Sequence, residues 1–154
     1  MKIELKNIKH AAFNSEETQC FTASVYINGV RSGTVRNGGH GGSDHFEPRA
    51  LQETLEAYAR TLPMLDVAKL VDSVRPAMVP QSAEGLIADC LEHWLQVKDN
   101  QRACKGKTVY KLAGQTYRAG EFHVLKLIFS PAVKAELVSK HGPDIWFLNE
   151  HING

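Results

Sequence analysis

Apolar and polar positions alternate twice near the start of the chain. Ile3 and Leu5 interleave with Lys2, Glu4 and Lys6, and Phe21, Ala23, Val25 and Ile27 interleave with Thr22, Ser24 and Tyr26. A period of two puts each set on its own face of a half-buried strand. Asn28-Gly29 follows directly, and a type I′ turn needs positive φ at both central residues, which these two types tolerate. The pattern therefore predicts a hairpin whose returning strand runs from Val30 to Arg36, with Ile27 opposite Val30 and Tyr26 opposite Arg31. Three such strands make an antiparallel β-meander.

Helical spacing takes over beyond Glu47. Pro48 suits a first helical turn, and Leu51, Leu55, Tyr58 and Leu62 recur on one stripe that ends before Pro63. Asp66 to Val74 predicts a short second helix, and Pro76 and Pro80 close it into a linker, which sets a sub-domain boundary near 75–81. Ser82 is an N-cap for a central core helix that reaches about Cys104, with Leu86, Ile87, Cys90, Leu91, Trp94, Leu95 and Val97 on a broad apolar face. Thr108 to Leu112 and Gln115 to Arg118 alternate around Ala113-Gly114, a second short hairpin. Phe122 to Phe129 is helical by composition, Ser130-Pro131 opens another helix, Gly142-Pro143 stops it, and Ile145 to Leu148 adds a final strand. The expected class is α+β, an N-terminal meander followed by helices with a second hairpin near the C-terminal third, in a single domain over 1–154.

Composition narrows the function classes. At 154 residues, with 43% apolar and 23% charged residues, the chain matches an ordinary globular domain. A net charge of +1 gives no global pull towards nucleic acid or a membrane, so any electrostatic preference is local. No stretch has the length of a membrane helix, and the charged N-terminus lacks the apolar core of a signal peptide, so a cytoplasmic setting is expected. Cys20, Cys90 and Cys104 have no C-x-x-C spacing and read as buried free thiols.

Between Asn37 and Phe46, four glycines surround chemically capable side chains in Asn-Gly-Gly-His-Gly-Gly-Ser-Asp-His-Phe. Glycine clusters mark sharp turns or close approaches and free amides to point at an anion. A loop leading from strand into helix would add the helix dipole, making Gly38, Gly39, His40, Gly41, Gly42, Ser43 and His45 candidate ligand-binding residues. The segment is neither a P-loop nor a dinucleotide fingerprint. The bland alternative is a connection whose glycines merely permit a bend. His40, Asp44 and His45 are also ligand types for a transition metal, with a further ligand from His10 or His93, which would allow a metal-dependent hydrolase. Their spacing is not a recognised metal signature, and solvent-facing histidines are the simpler reading. Ser43, Asp44 and His45 hold the residue types of a nucleophilic triad, but no nucleophile-elbow context accompanies them. No metal and no cofactor is assigned.

The segment Lys98–Arg118 carries the clearest charge asymmetry, with Lys105, Lys107, Lys111 and Arg118 as further candidates for phosphate contacts and Tyr110 and Tyr117 interleaved. The same tyrosines could be a cross-strand pair whose lysines simply solvate the hairpin. His93 reads as a boundary residue of its helix, His141 complements a helix dipole, and His123 has no evident partner.

The run from Lys2-Ile3-Glu4-Leu5-Lys6-Asn7-Ile8-Lys9-His10 through Ser15-Glu16-Glu17-Thr18-Gln19-Cys20-Phe21 to Asn37-Gly38-Gly39-His40-Gly41-Gly42 resembles the opening of small accessory proteins of tailed phages and prophages. The resemblance covers about a third of the chain and implies a host-cytoplasmic, anti-defence context but no catalytic residues. The leading expectation is a non-enzymatic protein that sequesters a phosphate-bearing, nucleotide-like ligand. The alternative is an inhibitor that caps a host defence protein through Tyr26, Arg31 and Arg36, types that dominate binding hot spots. The charge balance argues against nucleic acid as partner, no membrane is implied, and a homo-oligomer is compatible with either reading.

Overall fold

The computed structural model describes residues 1–67 and 78–152. The chain divides into two compact units, Met1–Glu92 and His93–Gly154, with the division inside a helix. The architecture is α+β, an N-terminal antiparallel sheet followed by helices and a small second sheet.

In the first unit, β1 (Ile3–His10), β2 (Phe21–Ile27), β3 (Val30–Asn37) and β4 (His45–Glu47) form one sheet in sequence order. Asn28 and Gly29 take φ of 50° and 83°, and the expected register holds, with Ile27 opposite Val30 and Tyr26 opposite Arg31. Beyond that point the pairing slips by one residue, so that Val25 faces Gly33 and Thr22 faces Arg36. A second slip lies in β1 between Lys6, opposite Ser24, and Lys9, opposite Thr22, around Asn7 with φ of 53°. Such bulges re-aim every side chain beyond them.

The inner face carries Phe21, Ala23, Val25, Val35 and Phe46, all buried. It is covered by α1 (Arg49–Ala59), whose Leu51, Leu55 and Ala59 are buried at helical spacing. Pro48 stands at the N-cap position, one residue outside the helix. The glycine segment thus does not lead directly into a helix. It connects β3 to β4, a strand that the sequence pattern did not predict because three residues carry too little alternation.

The short strands β5 (Leu65–Asp66) and β6 (Met78–Val79) pair antiparallel. The helix expected over 66–74 falls, beyond its first two residues, outside the described residues, as does part of the boundary expected near 75–81. Helix α2 (Ala83–Cys104) starts as expected after Ser82, whose Oγ accepts from the Gly85 amide at 3.1 Å, while Glu56 accepts from the Ala83 amide at 3.1 Å. It is not the central core helix expected. Ile87 and Leu91 are buried, but Trp94, Leu95 and Val97 are only half-buried.

In the second unit, β7 (Thr108–Leu112) pairs with β8 (His123–Leu125) on one side and β9 (Ile145–Phe147) on the other. The hairpin partner is therefore not Gln115–Arg118, which forms no strand, and Phe122–Phe129 is not a helix. Val109 and Tyr110 meet Val124 and His123 across the ladder, and the stacked Tyr110 and His123 rings lie 5.3 Å apart. This cross-strand pairing outweighs the helical composition of the segment. Helix α3 (Pro131–His141) is capped by Ser130, whose hydroxyl accepts from the Val133 amide, and ends at Gly142 with φ of 95°. Cys104, Val109 and Leu148 form a buried cluster.

Gly33 marks a close approach between β3, β4 and α1. A methyl group there would collide with the Glu47 carbonyl oxygen and stand 2.9 Å from a Leu51 methyl and 3.0 Å from the Pro48 ring. Gly33→Ala is therefore expected to destabilise the fold by about 3 kcal/mol, read as a lower midpoint in urea unfolding; an unchanged midpoint would contradict this packing.

Candidate functional site

Asn37, the last residue of β3, organises the glycine loop. Its side-chain oxygen accepts from the Thr18 hydroxyl at 2.8 Å and from the Gly39 amide at 2.9 Å. Its nitrogen donates to the Gly42 carbonyl and to an Asp44 carboxylate oxygen, each at 2.9 Å. All four hydrogen-bonding capacities of the amide are used. The Gly39 carbonyl in turn accepts from the amides of Glu16, Glu17 and Thr18 at 2.9, 3.1 and 3.3 Å. The β1–β2 connection is thereby docked against the β3–β4 connection.

These bonds change the expected chemistry. The Gly39 and Gly41 amides, two donors of the proposed anion nest, point inward to Asn37 and Thr18. His40 Nδ1 lies 3.1 Å from a Glu16 carboxylate oxygen, and the Asp44 amide donates to Glu84 at 3.3 Å. Glu17 lies beside Gly41. Carboxylates thus flank the loop where it meets Glu16, Glu17 and Glu84, and they repel a phosphate. The metal expectation fares no better, because His40 turns to Glu16, Asp44 to Asn37, and His45 pairs in register with Arg36. Among the described residues no group of three or more His, Cys, Asp or Glu is arranged to hold a metal ion. His10 bonds to Gln19 at 2.7 Å. No side-chain hydrogen bond joins Ser43, Asp44 and His45 among the described residues, so no triad forms.

The outer face of the first sheet is different. The two register slips put Lys9, Thr22, Arg36 and His45 in one row across the four strands, all exposed. Among the described residues neither Lys9 nor Arg36 makes an ion pair. Three open hollows of about 280, 270 and 310 Å³ meet at Thr22. The first is lined by Thr22, Arg36, Asn37, Gly38, Ser43 and His45. Three expected residues, Gly38, Ser43 and His45, are therefore brought together beside a guanidinium, while Gly39, His40 and Gly41 are engaged with the neighbouring loop. The Gly42 carbonyl accepts the Asn37 bond, and a methyl added at Gly42 would meet nothing within 4 Å.

Lys105, Lys107, Lys111 and Arg118 belong to the second unit. Lys105 and Lys107 flank the Gly106 turn and are exposed. Lys111 is held over aromatic rings, 4.7 Å from the centre of Phe122 and 5.3 Å from that of Tyr117. The Arg118 amide donates to Glu121. Tyr117 is not a cross-strand partner of Tyr110; its hydroxyl accepts from the Leu112 amide and donates to Gln115, each at 2.8 Å. His123, without an evident partner in the sequence, lies 3.0 Å from the same Gln115 oxygen. Of the cysteines only Cys104 is buried, and Cys20 and Cys90 are half-buried. Burial raises the Cys90 and Cys104 thiols above their ordinary value, with Asp89 adding to the rise at Cys90, so neither is primed as a nucleophile.

The residues missed were Lys9, Thr22 and Asn37, with Arg36 given only a protein-binding role. Signals for them existed. A glycine inside the β3 pattern marks a bulge, and Asn before Gly-Gly marks a side-chain turn onto the amide two residues on. Comparison with family models, with curated proteins and with solved structures found no match to this chain.

Two expectations follow from the loop. Gly39 is buried with φ of 90°, and a methyl there would meet the Asn14 carbonyl and stand 2.8 Å from the Cys20 β-carbon. Gly39→Ala should cost about 2 kcal/mol or more, and Gly42→Ala less than about 0.5 kcal/mol; equal effects in thermal melts would contradict the docking of the two loops. Burial pushes the Asp44 carboxyl above its ordinary value, opposed by the bond from Asn37 and reinforced by Glu84. A raised acid stabilises the fold below its unfolded value and loses that contribution as pH rises. Asp44→Asn should accordingly melt higher than the parent at about pH 7, with the difference closing towards about pH 3.

Proposed function

We propose that this chain is a non-catalytic binding protein that sequesters a phosphate-bearing, nucleotide-like ligand on the outer face of its first sheet. The observation that carries the reading is the row Lys9, Thr22, Arg36 and His45, with the hollow at its Arg36 end. A phosphate there would meet the guanidinium, a form of donor matched to paired phosphate oxygens. The Ser43 hydroxyl and the His45 imidazole add donors at the rim. The anti-defence setting rests on the resemblance of the N-terminal segment to phage accessory proteins, and a ligand removed from solution is the kind of action that setting implies. Among the described residues no helix is long and apolar enough to cross a membrane.

One observation favours inhibition of a host defence protein as a second reading. Phe13, on the 3-10 turn Ala12–Asn14 next to the docked loops, is 88% exposed. An aromatic side chain held out on a hydrogen-bonded turn is an anchor type for a protein pocket.

Calorimetric titration with inorganic phosphate and with nucleoside monophosphates separates the two. Saturable binding is expected, weakened about tenfold, or about 1.4 kcal/mol, by Arg36→Gln and unchanged by Lys107→Gln or Phe13→Ala. Absence of binding across the panel, together with no small molecule in native mass spectra of gently purified protein, would reject sequestration.

A further inference from the structure

The ligand-bearing face extends well beyond a single phosphate site. Behind the first row lies a second, Lys6, Ser24, Thr34 and Glu47, and behind that a third, Glu4, Tyr26 and Arg31. From Thr22 to Tyr26 along β2 is about 14 Å at strand rise. The hollows lined by Thr22, Ser24, Thr34 and Arg36 and by Thr22, Arg36, Ser43 and His45 continue one another along β2 and β3. The floor carries hydroxyl side chains, and the rims carry Lys6, Lys9, Arg31 and Arg36 beside Glu4 and Glu47.

The charges favour a polyanion. Lys6, Lys9, Arg31 and Arg36 make no ion pair among the described residues, whereas Glu4 is tied to Lys2 at 3.1 Å and Glu47 stands at the β4 edge. Tyr26 is the aromatic group of these rows, and the Lys6 ammonium lies 4.4 Å from the centre of its ring. No exposed aliphatic cluster of the sort that anchors a protein partner lies in these rows. A cation and an aromatic ring one row beyond a phosphate site are the elements that single-strand grooves combine, one for the backbone and the other for a base.

Resting on the reading above, we propose that this face takes a short segment of single-stranded RNA laid along β2. One phosphate lies between Lys9 and Arg36 over Thr22, the next is drawn to Lys6, and a base packs on the Tyr26 ring that Lys6 vacates. The Thr22 and Thr34 hydroxyls, each able to donate and accept, face the ribose 2′-hydroxyls that distinguish RNA from DNA.

Fluorescence anisotropy of the full chain with end-labelled oligouridylates tests this. Affinity should rise from the mononucleotide to the tetranucleotide and then level off. The logarithm of the binding constant should fall with the logarithm of salt at a slope of about −1.4, as two neutralised phosphates require. Lys6→Ala should make the slope shallower by about 0.7, and Lys9→Ala, which leaves Arg36 on the same phosphate, by less than that. Tyr26→Ala should weaken binding severalfold without changing the slope, its fold verified by thermal melting, with Tyr26→Phe retaining affinity. Matching deoxyuridylates should bind several times more weakly; equal affinity would overturn the assignment to RNA. Binding of the mononucleotide with no gain in length would overturn the strand and leave the phosphate site standing. No binding by any of these probes would overturn both.

Discussion

Two extra residues, one in β1 and one in β3, decide what the first sheet presents to solvent. A strand has a side-chain period of two, so a slip of one residue exchanges its faces. Had the pairing set by the Asn28-Gly29 turn continued unchanged, Val35 would stand opposite Thr22 on the polar face and Arg36 would be driven into the core. Had β1 kept the register of Lys6 and Ser24, Ile8 would take the place of Lys9. Each bulge therefore performs two tasks at once. It returns an apolar side chain to the interior and sets a cation beside Thr22.

The glycine loop depends on this arrangement without being its active part. Its backbone is consumed in holding two connections together through Asn37 and the Gly39 carbonyl. Buried amides must find acceptors, and the Gly39 amide finds one in Asn37, while the Gly41 amide reaches Thr18 of the neighbouring connection. What remains for a ligand is the outer rim, Gly38, Ser43 and His45, where β4 brings His45 into line with Arg36. The carboxylates of Glu16, Glu17, Asp44 and Glu84 stand around the loop, so in the proposed reading an anion is kept to the sheet face.

The sequence made the hairpin register, the Ser82 and Ser130 caps and the ends of α3 legible, because each depends on residues within one turn of each other, whereas α1 stops at Ala59, a turn short of the expected Leu62. It misread Phe122–Phe129, where the stacking of Tyr110 on His123 is non-local and leaves no periodic trace. It located the glycine segment but assigned its amides to a ligand, since a nest that is free and a nest filled by Asn37 and Thr18 have the same composition. The phase break between Val30 and Val35, both apolar yet on opposite parities, joins Gly33 as a readable sign that β3 is bulged and that Arg36 faces outward.

Asn37 carries a chemical consequence of its own. It precedes a glycine, the neighbour that leaves a side-chain amide most open to attack by the next backbone nitrogen and hence to slow conversion into aspartate. That conversion would replace the donor facing Asp44 by a second carboxylate and set two anions where one hydrogen bond now stands. The four bonds on Asn37 restrain the amide from reaching that geometry, whereas Asn28, also followed by glycine, is exposed and among the described residues its side chain bonds the Lys2 amide alone. Of these two Asn-Gly steps the hairpin tip is therefore the more open to ageing, and the one inside the glycine-rich segment is the better protected.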